Sequence, residues 1–492
     1  MRDSIVLYIN GKRHTIGASQ IFMTLSDYLR YQKSLTGTKV VCAEGDCGAC
    51  SVLYSSIHDL KEGKLHYRSI NSCIALLSLL DCSHIITVEG ITEENGMHAV
   101  QKAFVDAQGA QCGFCTPGFI CALTATLENR IEENKQLQGE AATKKIMNGL
   151  TGNLCRCTGY LPIKEACATV DTSQMTLMRD RYHSETMIQE LTSQAQITLN
   201  LSHDKKQFFA PVSINEAVKF KSQHSDARLI SSATDLGVLI NKEKFFPTKL
   251  LSLNHISELH SVKNNGDFVR IGARVNLNQL ENFLEKNKDN GLIELAYMLK
   301  IFASPQIKNT ATIVGNIANA SPIADTIPAM MALNAQIEIV GPKGTRTIDS
   351  QNFYLGYKKL DLAADEIITF IQIPHLKKKQ KLKLYKVSNR KDMDISTVTF
   401  ASVYSLNNNT IEDITVVYGG VGPVVKVCDK TGLYLKGKTW KESTFKEAGK
   451  ILLTEITPIS DMRSSKEYRN IVAKNLLLKF CFEGESHLEV RA

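Results

Sequence analysis

The sequence predicts a multidomain α+β protein, because its pattern of apolar residues changes twice along 492 residues. Ile5, Leu7 and Ile9 alternate up to Asn10-Gly11, the signal of a type I′ hairpin turn. From about residue 96 to 170 the apolar spacing becomes helical, and beyond residue 207 strand-like and helix-like runs alternate. A chain of this length accommodates three or four domains of ~150 residues.

The first domain is expected over residues 1–90. Its hairpin precedes a short helix near residues 26–31, and strands resume near residues 51–54 and 85–88. This order is typical of a ferredoxin-like β-grasp module. The pattern then becomes helical, with Met97, Val100 and Phe104 on one predicted face, so we expect a helical domain over residues 91–170.

The predicted β-grasp module carries four cysteines in the arrangement C-x4-C-x2-C…C, namely Cys42, Cys47, Cys50 and Cys73. This is the plant-type spacing for a [2Fe-2S] cluster. Gly45 and Gly48 let the backbone curl around such a cluster and aim N–H groups at sulfur. The four thiolates are therefore candidate metal ligands.

A second set, in the helical region, has the spacing C-x2-C…C-x1-C and consists of Cys112, Cys115, Cys155 and Cys157. Thr116 and Pro117 suit the N-cap and first position of a helix. Its apolar face is predicted to contain Phe119, Ile120, Leu123 and Leu127. Residues 132–142 are polar enough to be a surface insertion. Eight thiolates in two tetrads favour two [2Fe-2S] clusters and electron transfer; the alternative is a zinc-stabilised interaction module, which would be colourless.

The remaining cysteines lack ligand-like spacing and are expected to be core thiols: Cys82, Cys121, Cys167, Cys428 and Cys481. The chain begins Met1-Arg2-Asp3-Ser4 without an apolar signal region, and no run approaches the roughly 18 apolar residues of a membrane span. We expect a soluble protein of a reducing, cytoplasmic compartment that binds no membrane.

Net charge is +8, and the densest basic stretch, residues 377–383, lacks interleaved aromatic residues. A solvated hairpin loop explains this stretch better than nucleic-acid binding, with contact to an acidic partner as the alternative. Residues 171–206 are polar, with weak periodicity, and are predicted to be a linker. Strand-like runs at 229–232, 269–272, 337–340 and 367–373 alternate with helix-like runs and indicate an α+β region beyond residue 207.

Two loops in this second half consist mainly of small and hydrogen-bonding residues, at 229–237 and 313–322. Backbone N–H groups, hydroxyls and amides at close approach can cradle a pyrophosphate. Neither loop is a G-x-G-x-x-G fingerprint, so composition alone leaves an ordinary turn as the alternative.

The two cysteine strings and these loops together resemble the xanthine dehydrogenase family of molybdenum hydroxylases, over essentially the whole chain. The specific strings are residues 111–118 and 152–160, while residues 309–325 end in the similar Ala-Ser-Pro-Ile-x-Asp string. In particular, the chain resembles the bacterial type of small subunit that carries two [2Fe-2S] clusters and FAD. The resemblance implies a molybdenum hydroxylase FAD-binding domain over residues 207–380 and a C-terminal α/β flavoprotein domain over 381–492.

The resemblance implies flavin and nicotinamide contacts at Leu229, Ile230, Ser231, Ser232, Ala233, Thr234, Asp235, Leu236, Gly237, Phe302, Thr312, Gly315, Asn316, Asn319, Ser321, Asp325, Tyr357, Ile368, Lys386 and Asp394. Phe302 would lie against the isoalloxazine, and Tyr357 and Asp394 would favour NAD+. From the residues alone, Phe302 could be core, Lys386 a surface lysine and Asp325 a helix N-cap. Ser232 stands at a position that is usually glycine in the family.

The implied function is electron transfer. Electrons would enter at the Cys112 tetrad, pass to the Cys42 tetrad and FAD, and leave to NAD+. Purine hydroxylation would need a separate large subunit holding the molybdenum cofactor, so this chain is expected to have no hydroxylation site and to assemble as a heterodimer or heterotetramer. An aldehyde or aromatic substrate, and oxygen as acceptor, remain alternatives.

Overall fold

The computed structural model describes residues 1–94 and 96–485. The chain forms two compact units. Unit 1 contains residues 1–257 and 304–311, and unit 2 contains residues 258–303 and 312–492. The last seven residues of the predicted domain 381–492 lie outside the described part of the chain, as does Asn95 of the predicted helical domain.

Unit 1 begins with a β-grasp sheet. Its elements are β1 (Ile5–Ile9), β2 (Lys12–Ile16), α1 (Leu25–Asp27), β3 (Ser51–Ser56), β4 (Leu60–Lys61), β5 (Lys64–Leu65), β6 (Arg68–Asn71), β7 (Ser83–Ile86) and α2 (Val88–Ile91). The five-stranded sheet has the order β2-β1-β7-β3-β6, and β1 pairs with β7 in parallel. Asn10 and Gly11 have φ values of 49° and 78°, which confirms the predicted hairpin turn.

The helical region contains α3 (Ala99–Asp106), α4 (Thr116–Glu132), α5 (Glu140–Asn148) and α6 (Leu161–Thr169). The predicted apolar face of α4 is buried, and so are all five cysteines predicted to be core thiols. Two details of the prediction were wrong. Cys115 rather than Thr116 caps α4, because its carbonyl already accepts a hydrogen bond from the Phe119 N–H. Met97 precedes α3 and is 57% exposed, since the helix begins only after His98.

The stretch predicted to be a linker is structured in part. It contains α7 (Met178–Arg181), α8 (Glu185–Ala195) and β8 (Leu199–His203). Met178, Met187 and Leu191 are buried in the core of the helical region. Met187, Leu191 and Ala195 recur at helical spacing, but the linker prediction rested on the polar composition of the residues around them. The predicted surface insertion is likewise exposed only in part, because Ala142 at its end is buried in α5.

A second sheet of unit 1 follows, with helices between its strands. The elements are β9 (Lys206–Ala210), α9 (Ile214–Gln223), β10 (Arg228–Ile230), α10 (Leu236–Asn241) and β11 (Lys249–Ser252). Together with β8 its order is β10-β11-β9-β8, with β8 antiparallel to β9 and the other pairs parallel.

Unit 2 opens with β12 (Val262–Asn265), β13 (Phe268–Gly272), α11 (Leu277–Lys286) and α12 (Ile293–Lys300). The chain then contributes the short helix α13 (Pro305–Lys308) to unit 1. Unit 2 resumes with α14 (Ile313–Asn319), α15 (Ile327–Ala332), β14 (Gln336–Gly341), β15 (Gly344–Asp349), β16 (Tyr354–Gly356), β17 (Lys359–Leu360) and β18 (Ile367–Pro374). An antiparallel sheet has the order β12-β13-β18-β14-β15.

The C-terminal part of unit 2 has a separate antiparallel sheet. It contains β19 (Gln380–Val387), β20 (Val398–Asn407), β21 (Thr410–Gly419) and β22 (Lys426–Val427), followed by α16 (Asp429–Leu435), α17 (Glu442–Leu452) and α18 (Lys466–Glu485). Trp440, Phe445 and Phe480 lie in its core. The lysines at 377–379 are exposed, but the predicted hairpin was wrong because β18 and β19 belong to different sheets.

These units are consistent with the predicted multidomain α+β fold. Within the described ranges, no helix is both long enough and apolar enough to span a membrane.

Candidate functional site

The first cysteine tetrad gathers in unit 1, where Cys42, Cys47 and Cys50 precede β3 and Cys73 follows β6. Hydrogen bonding with Cys47 and Cys73 lowers the pKa of the Cys42 thiol. Hydrogen bonding with Cys42 and Cys50 raises the pKa of the Cys73 thiol. Cys50 and Cys73 are buried, whereas Cys42 and Cys47 are half-buried. The structure therefore brings the four predicted ligands together in a largely enclosed loop.

The backbone of this loop is shaped for sulfur ligation. The N–H of Glu44 points at Cys42 Sγ, with a nitrogen–sulfur distance of 3.4 Å. Gly48 has a φ of +69°, and a Cβ there would lie 2.3 Å from the carbonyl oxygen of Gly152. Only glycine allows both the left-handed backbone and this close approach.

The second tetrad gathers at the other cysteine loop of unit 1. The Sγ atoms of Cys112 and Cys157 are 3.5 Å apart, and Cys115 interacts with Cys155. Burial alone would raise the pKa of the Cys155 thiol, but hydrogen bonding from Thr158 lowers it. Cys112 and Cys157 are exposed. This tetrad therefore lies at the surface, unlike the first.

The spacing of the sulfur atoms tests the zinc alternative. Four thiolates around one zinc ion at about 2.3 Å would all lie about 3.8 Å from one another. In the described part of the chain, the one group of three possible ligand atoms mutually within 4.8 Å is Asp81, Cys82 and His255. The cysteines of the two tetrads form no such group of three, so neither tetrad has the mutual sulfur spacing of a tetrahedral zinc site. The donor sets fit [2Fe-2S] clusters better than zinc.

The group at Asp81 is occupied by a protein cation. Both guanidinium nitrogens of Arg2 donate to the Asp81 carboxylate, and one also contacts Cys82 Sγ. His255 Nε2 lies 2.9 Å from the same carboxylate. Arg2 thus supplies the cation for Asp81, and we assign this group a structural role.

The predicted flavin loop of unit 1 leads directly into a helix that contacts the first tetrad. Residues 229–237 begin in β10 and end in α10, with Ala233 in the left-handed region at φ +61°. From α10, Asn241 Nδ2 donates to the carbonyl oxygens of Cys73 and Ala43 at 2.7 and 2.9 Å. Val238 packs against Cys50 and Cys73. Asn241 was not predicted, because its partners lie 168 and 198 positions away in the sequence.

Four of the predicted flavin residues of unit 2 lie in α14 or at its N-cap. Thr312 caps this helix by accepting a hydrogen bond from the Gly315 N–H. Asn316 accepts one from the Thr326 hydroxyl, and Asn319 accepts two from Lys358 Nζ. The segment is thus held by its own polar side chains.

At the end of this segment lies a buried ion pair. Lys386 Nζ is 2.7 Å from Asp325 Oδ2, and the two side chains are 3% and 5% exposed. Burial raises the pKa of Asp325, although Lys386 and the Ser396 hydroxyl oppose the shift. Lys386 is therefore not a surface lysine, and Asp325 is not a helix N-cap, because Thr326 occupies that position in α15.

The other predicted residues of unit 2 are more dispersed. Phe302 is half-buried, Ile368 is buried in β18, and Ser321 is half-buried. Tyr357 lies between β16 and β17 and is 66% exposed, and Asp394 accepts a hydrogen bond from the Arg390 N–H. Residues 229–237 belong to unit 1, and the other predicted flavin residues belong to unit 2.

Three family models match successive parts of the chain. Residues 87–168 match a [2Fe-2S] binding domain, and residues 203–376 match the FAD binding domain in molybdopterin dehydrogenase. Residues 383–483 match the CO dehydrogenase flavoprotein C-terminal domain.

Curated relatives match almost the entire chain. A xanthine dehydrogenase from Oryza sativa subsp. japonica is 30% identical, with 99% of this chain and 40% of the relative aligned. Xanthine dehydrogenase 1 from Arabidopsis thaliana is 29% identical over 97% of this chain and 39% of the relative. Aldehyde oxidase 3 from Mus musculus is 27% identical, with 99% of this chain and 40% of the relative aligned. The chain thus spans about 40% of the length of these relatives.

Solved structures share the architecture of slightly more than half of the chain. A carbon monoxide dehydrogenase chain from Hydrogenophaga pseudoflava has a TM-score of 0.53 and 26% identity, covering 57% of this chain and 96% of that one. A quinoline 2-oxidoreductase chain from Pseudomonas putida 86 has a TM-score of 0.52 and 23% identity. The match covers 56% of this chain and 94% of that one. With the three domain matches and the xanthine dehydrogenase relatives, these likenesses show that the chain belongs to the xanthine dehydrogenase family of molybdenum hydroxylases and carries its [2Fe-2S]- and FAD-binding domains.

Proposed function

We propose that this chain passes electrons from a molybdopterin-containing partner subunit, which hydroxylates hypoxanthine and xanthine, to NAD+ in purine catabolism. Electrons enter at the Cys112, Cys115, Cys155 and Cys157 tetrad, continue to the Cys42, Cys47, Cys50 and Cys73 tetrad and to FAD, and leave to NAD+. The clusters supply one-electron chemistry, and FAD converts pairs of electrons into hydride.

The observation that carries this proposal is the order of the three sites within unit 1. The second tetrad is at the surface, with Cys112 and Cys157 exposed. The first tetrad is enclosed, and α10, which follows the predicted flavin loop, bonds to its Cys73 carbonyl. The first tetrad therefore contacts the element that follows the flavin loop, while the second presents its ligands to the outside. This arrangement supports electron transfer from an external donor inward to FAD.

Apolar side chains around the second tetrad support a protein partner at this surface. Phe114, Leu154 and Leu161 are 47%, 45% and 71% exposed, and each lies within four residues of a cysteine of the tetrad. Exposed apolar groups at one place are typical of protein interfaces. We infer that the molybdopterin subunit binds here, in a heterodimer or heterotetramer.

Purine as substrate is supported by the xanthine dehydrogenases among the relatives. The aldehyde oxidase relative supports a second candidate, the same electron-transfer role with an aldehyde or aromatic substrate. NAD+ as acceptor rests on Tyr357, whose exposed ring is available to a nicotinamide, and on Asp394. These alternatives are distinguished by assaying the assembled enzyme with xanthine and with an aldehyde as substrate, and with NAD+ and with oxygen as electron acceptor.

The proposal is tested on the purified chain by a visible spectrum with iron, sulfide and flavin quantified, repeated after anaerobic addition of NADH. We expect about four iron atoms per chain, since each cysteine tetrad takes a two-iron cluster, and one FAD. NADH should bleach the spectrum. Zinc in place of iron, in protein handled without air, would contradict the proposal, and flavin that NADH does not reduce would contradict NAD+ as the acceptor.

A further inference from the structure

We propose that Gln306 is a positioning residue that fixes the two cysteine loops relative to each other and thereby sets the rate of electron transfer between their clusters. This proposal rests on the proposed function, because it assumes that both tetrads hold clusters. Gln306 belongs to the predicted flavin domain in sequence, yet its helix α13 is part of unit 1.

A single side chain reaches both loops. Gln306 is completely buried, and its Nε2 donates to Asn153 Oδ1 at 2.7 Å and to Ser51 Oγ at 3.2 Å. Ser51 directly follows Cys50 of the first tetrad, and Asn153 precedes Cys155 of the second by two residues. The amide of Gln306 therefore connects a neighbour of one ligand to a neighbour of the other.

The two acceptors of Gln306 converge on the same carbonyl group. Asn153 Nδ2 donates to the Gly48 oxygen at 3.0 Å, and Ser51 Oγ donates to it at 2.7 Å. Gly48 lies between Cys47 and Cys50, so the network closes on the first cysteine loop. A hydrogen-bonded ring of this kind restricts both loops more than separate bonds would.

The Gln306 side chain is closely packed against the second cysteine loop. A Cβ built on Gly152 would lie 1.9 Å from Gln306 Oε1. This oxygen is buried and has no hydrogen-bond partner among the described residues. An unpaired buried amide oxygen destabilises the fold. The favourable polar contribution of Gln306 therefore comes from its two donated bonds, which are the bonds between the loops.

The step that this network affects is the transfer of a single electron from one cluster to the other, in which no bond forms and no proton moves. The rate of such a transfer falls steeply with distance and with any break in the intervening bonds. A small relative displacement of the loops therefore slows transfer, even when every cysteine still binds iron.

Gln306→Met tests the proposal, because methionine has a similar shape and donates no hydrogen bond. Asn309→Leu is the matched control: Asn309 lies in the same segment, and its Nδ2 donates at 2.8 Å to the carbonyl of Ser69, which belongs to strand β6 and not to a cysteine loop. Both variants are prepared as the full chain. The measurements are iron content, the electron paramagnetic resonance spectrum of the reduced protein, and the inter-cluster transfer rate after pulse radiolysis.

We expect Gln306→Met to keep the iron content and both cluster signals of the wild-type protein. The magnetic splitting that each reduced cluster causes in the resonance signal of the other should change in Gln306→Met. Its inter-cluster transfer rate should fall several-fold. Asn309→Leu should match the wild-type protein in both the splitting and the rate. Unchanged splitting and rate in Gln306→Met, or equal changes in Asn309→Leu, would overturn the proposal.

If Gln306→Met loses iron, the same measurements are made on Ser51→Ala. This variant removes one hydrogen-bond acceptor of Gln306 with a small change in side chain. A changed splitting with iron retained supports the proposal, and an unchanged splitting overturns it. Wild-type protein without iron would overturn the proposed function, and with it this inference, whereas wild-type clusters insensitive to these variants overturn the role of Gln306 alone.

Discussion

The backbone N–H of Leu154 donates to the carbonyl oxygen of Cys47 with a nitrogen–oxygen distance of 3.0 Å. Leu154 is bonded to Cys155, so one hydrogen bond joins a residue of the first tetrad to the residue next to a ligand of the second. Both atoms belong to the main chain, and substitution of either side chain leaves the bond possible. The two candidate cluster sites of unit 1 are thus connected by the polypeptide itself.

Replacement of Cys155 by serine should block electron entry from the partner subunit but leave the reaction of FAD with NADH intact. Cys155→Ser removes a thiolate ligand of the second tetrad, so substrate-to-NAD+ activity of the assembled enzyme should be lost. NADH-to-dye activity should persist, since that reaction needs only FAD. Both activities are measured on protein with quantified flavin.

Cys167→Ser is the control for this variant, because Cys167 is a buried thiol of α6 outside the tetrad. Both activities should survive in it. If NADH-to-dye activity also disappeared in Cys155→Ser with FAD still bound, the proposed electron order would be incorrect.

Gly48→Ala should disrupt the contact between the cysteine loops. The added Cβ would lie 2.3 Å from the Gly152 carbonyl oxygen, and the left-handed backbone at φ +69° adds about 1–2 kcal/mol for a non-glycine residue. We expect a lower iron content per chain. Gly113→Ala separates the two effects, because Gly113 also has a positive φ of +79° but open space at its Cβ position. Equal iron loss in both variants would contradict a steric cause.

The grouping of the first four candidate ligands could be predicted from the sequence, because three of them lie within nine residues and glycine marks their loop. The residues that hold the tetrads in place were not predictable. Gln306 bonds to Ser51 across 255 positions, and Asn241 to Cys73 across 168. Such pairs follow from tertiary packing and leave no local period or motif. The helices of residues 178–195 were missed for a different reason, because their four buried apolar side chains stand among polar residues with the composition of a linker.

Lys386→Met should destabilise unit 2 by leaving Asp325 buried without its cation. Breaking a buried ion pair in this way typically costs about 3–5 kcal/mol. Burial already raises the pKa of Asp325 above its usual value of 3.8, and the variant should raise it further. The folded state then holds the proton more tightly, so the added destabilisation grows as pH rises from about 4 toward the folded pKa.

Thermal unfolding of Lys386→Met at pH 5 and pH 8, with FAD content, checks this prediction. Lys381→Met is the matched control, because Lys381 lies on the same strand and is exposed. It should change stability little. Adding Asp325→Asn to Lys386→Met should restore part of the loss at pH 8, and a double variant as unstable as Lys386→Met would argue against an uncompensated charge as the cause.

Glu128→Gln should stabilise the protein at alkaline pH. Glu128 is 1% exposed on α4; its Oε1 accepts the Met178 N–H, and its buried Oε2 has no partner among the described residues. Burial raises its pKa from 4.5 to about 8. Because the folded pKa is the higher one, the contribution of this group is fully present below pH 4.5 and is lost as pH rises through about 8, roughly 5 kcal/mol in all. Glutamine stays neutral, so the variant should lose this pH dependence.

Glu132→Gln, one turn further along α4, provides a control of opposite sign. Burial would raise the pKa of Glu132, but His66, Lys61 and Arg179 together lower it to about 2. Its carboxylate therefore stabilises the fold above the unfolded pKa of 4.5 and loses this effect as pH falls toward 2. Thermal unfolding from pH 5 to pH 9 should show Glu128→Gln gaining over wild type with rising pH, while Glu132→Gln is less stable throughout. A Glu128→Gln curve parallel to that of wild type would mean that Glu128 is already ionised in the folded protein.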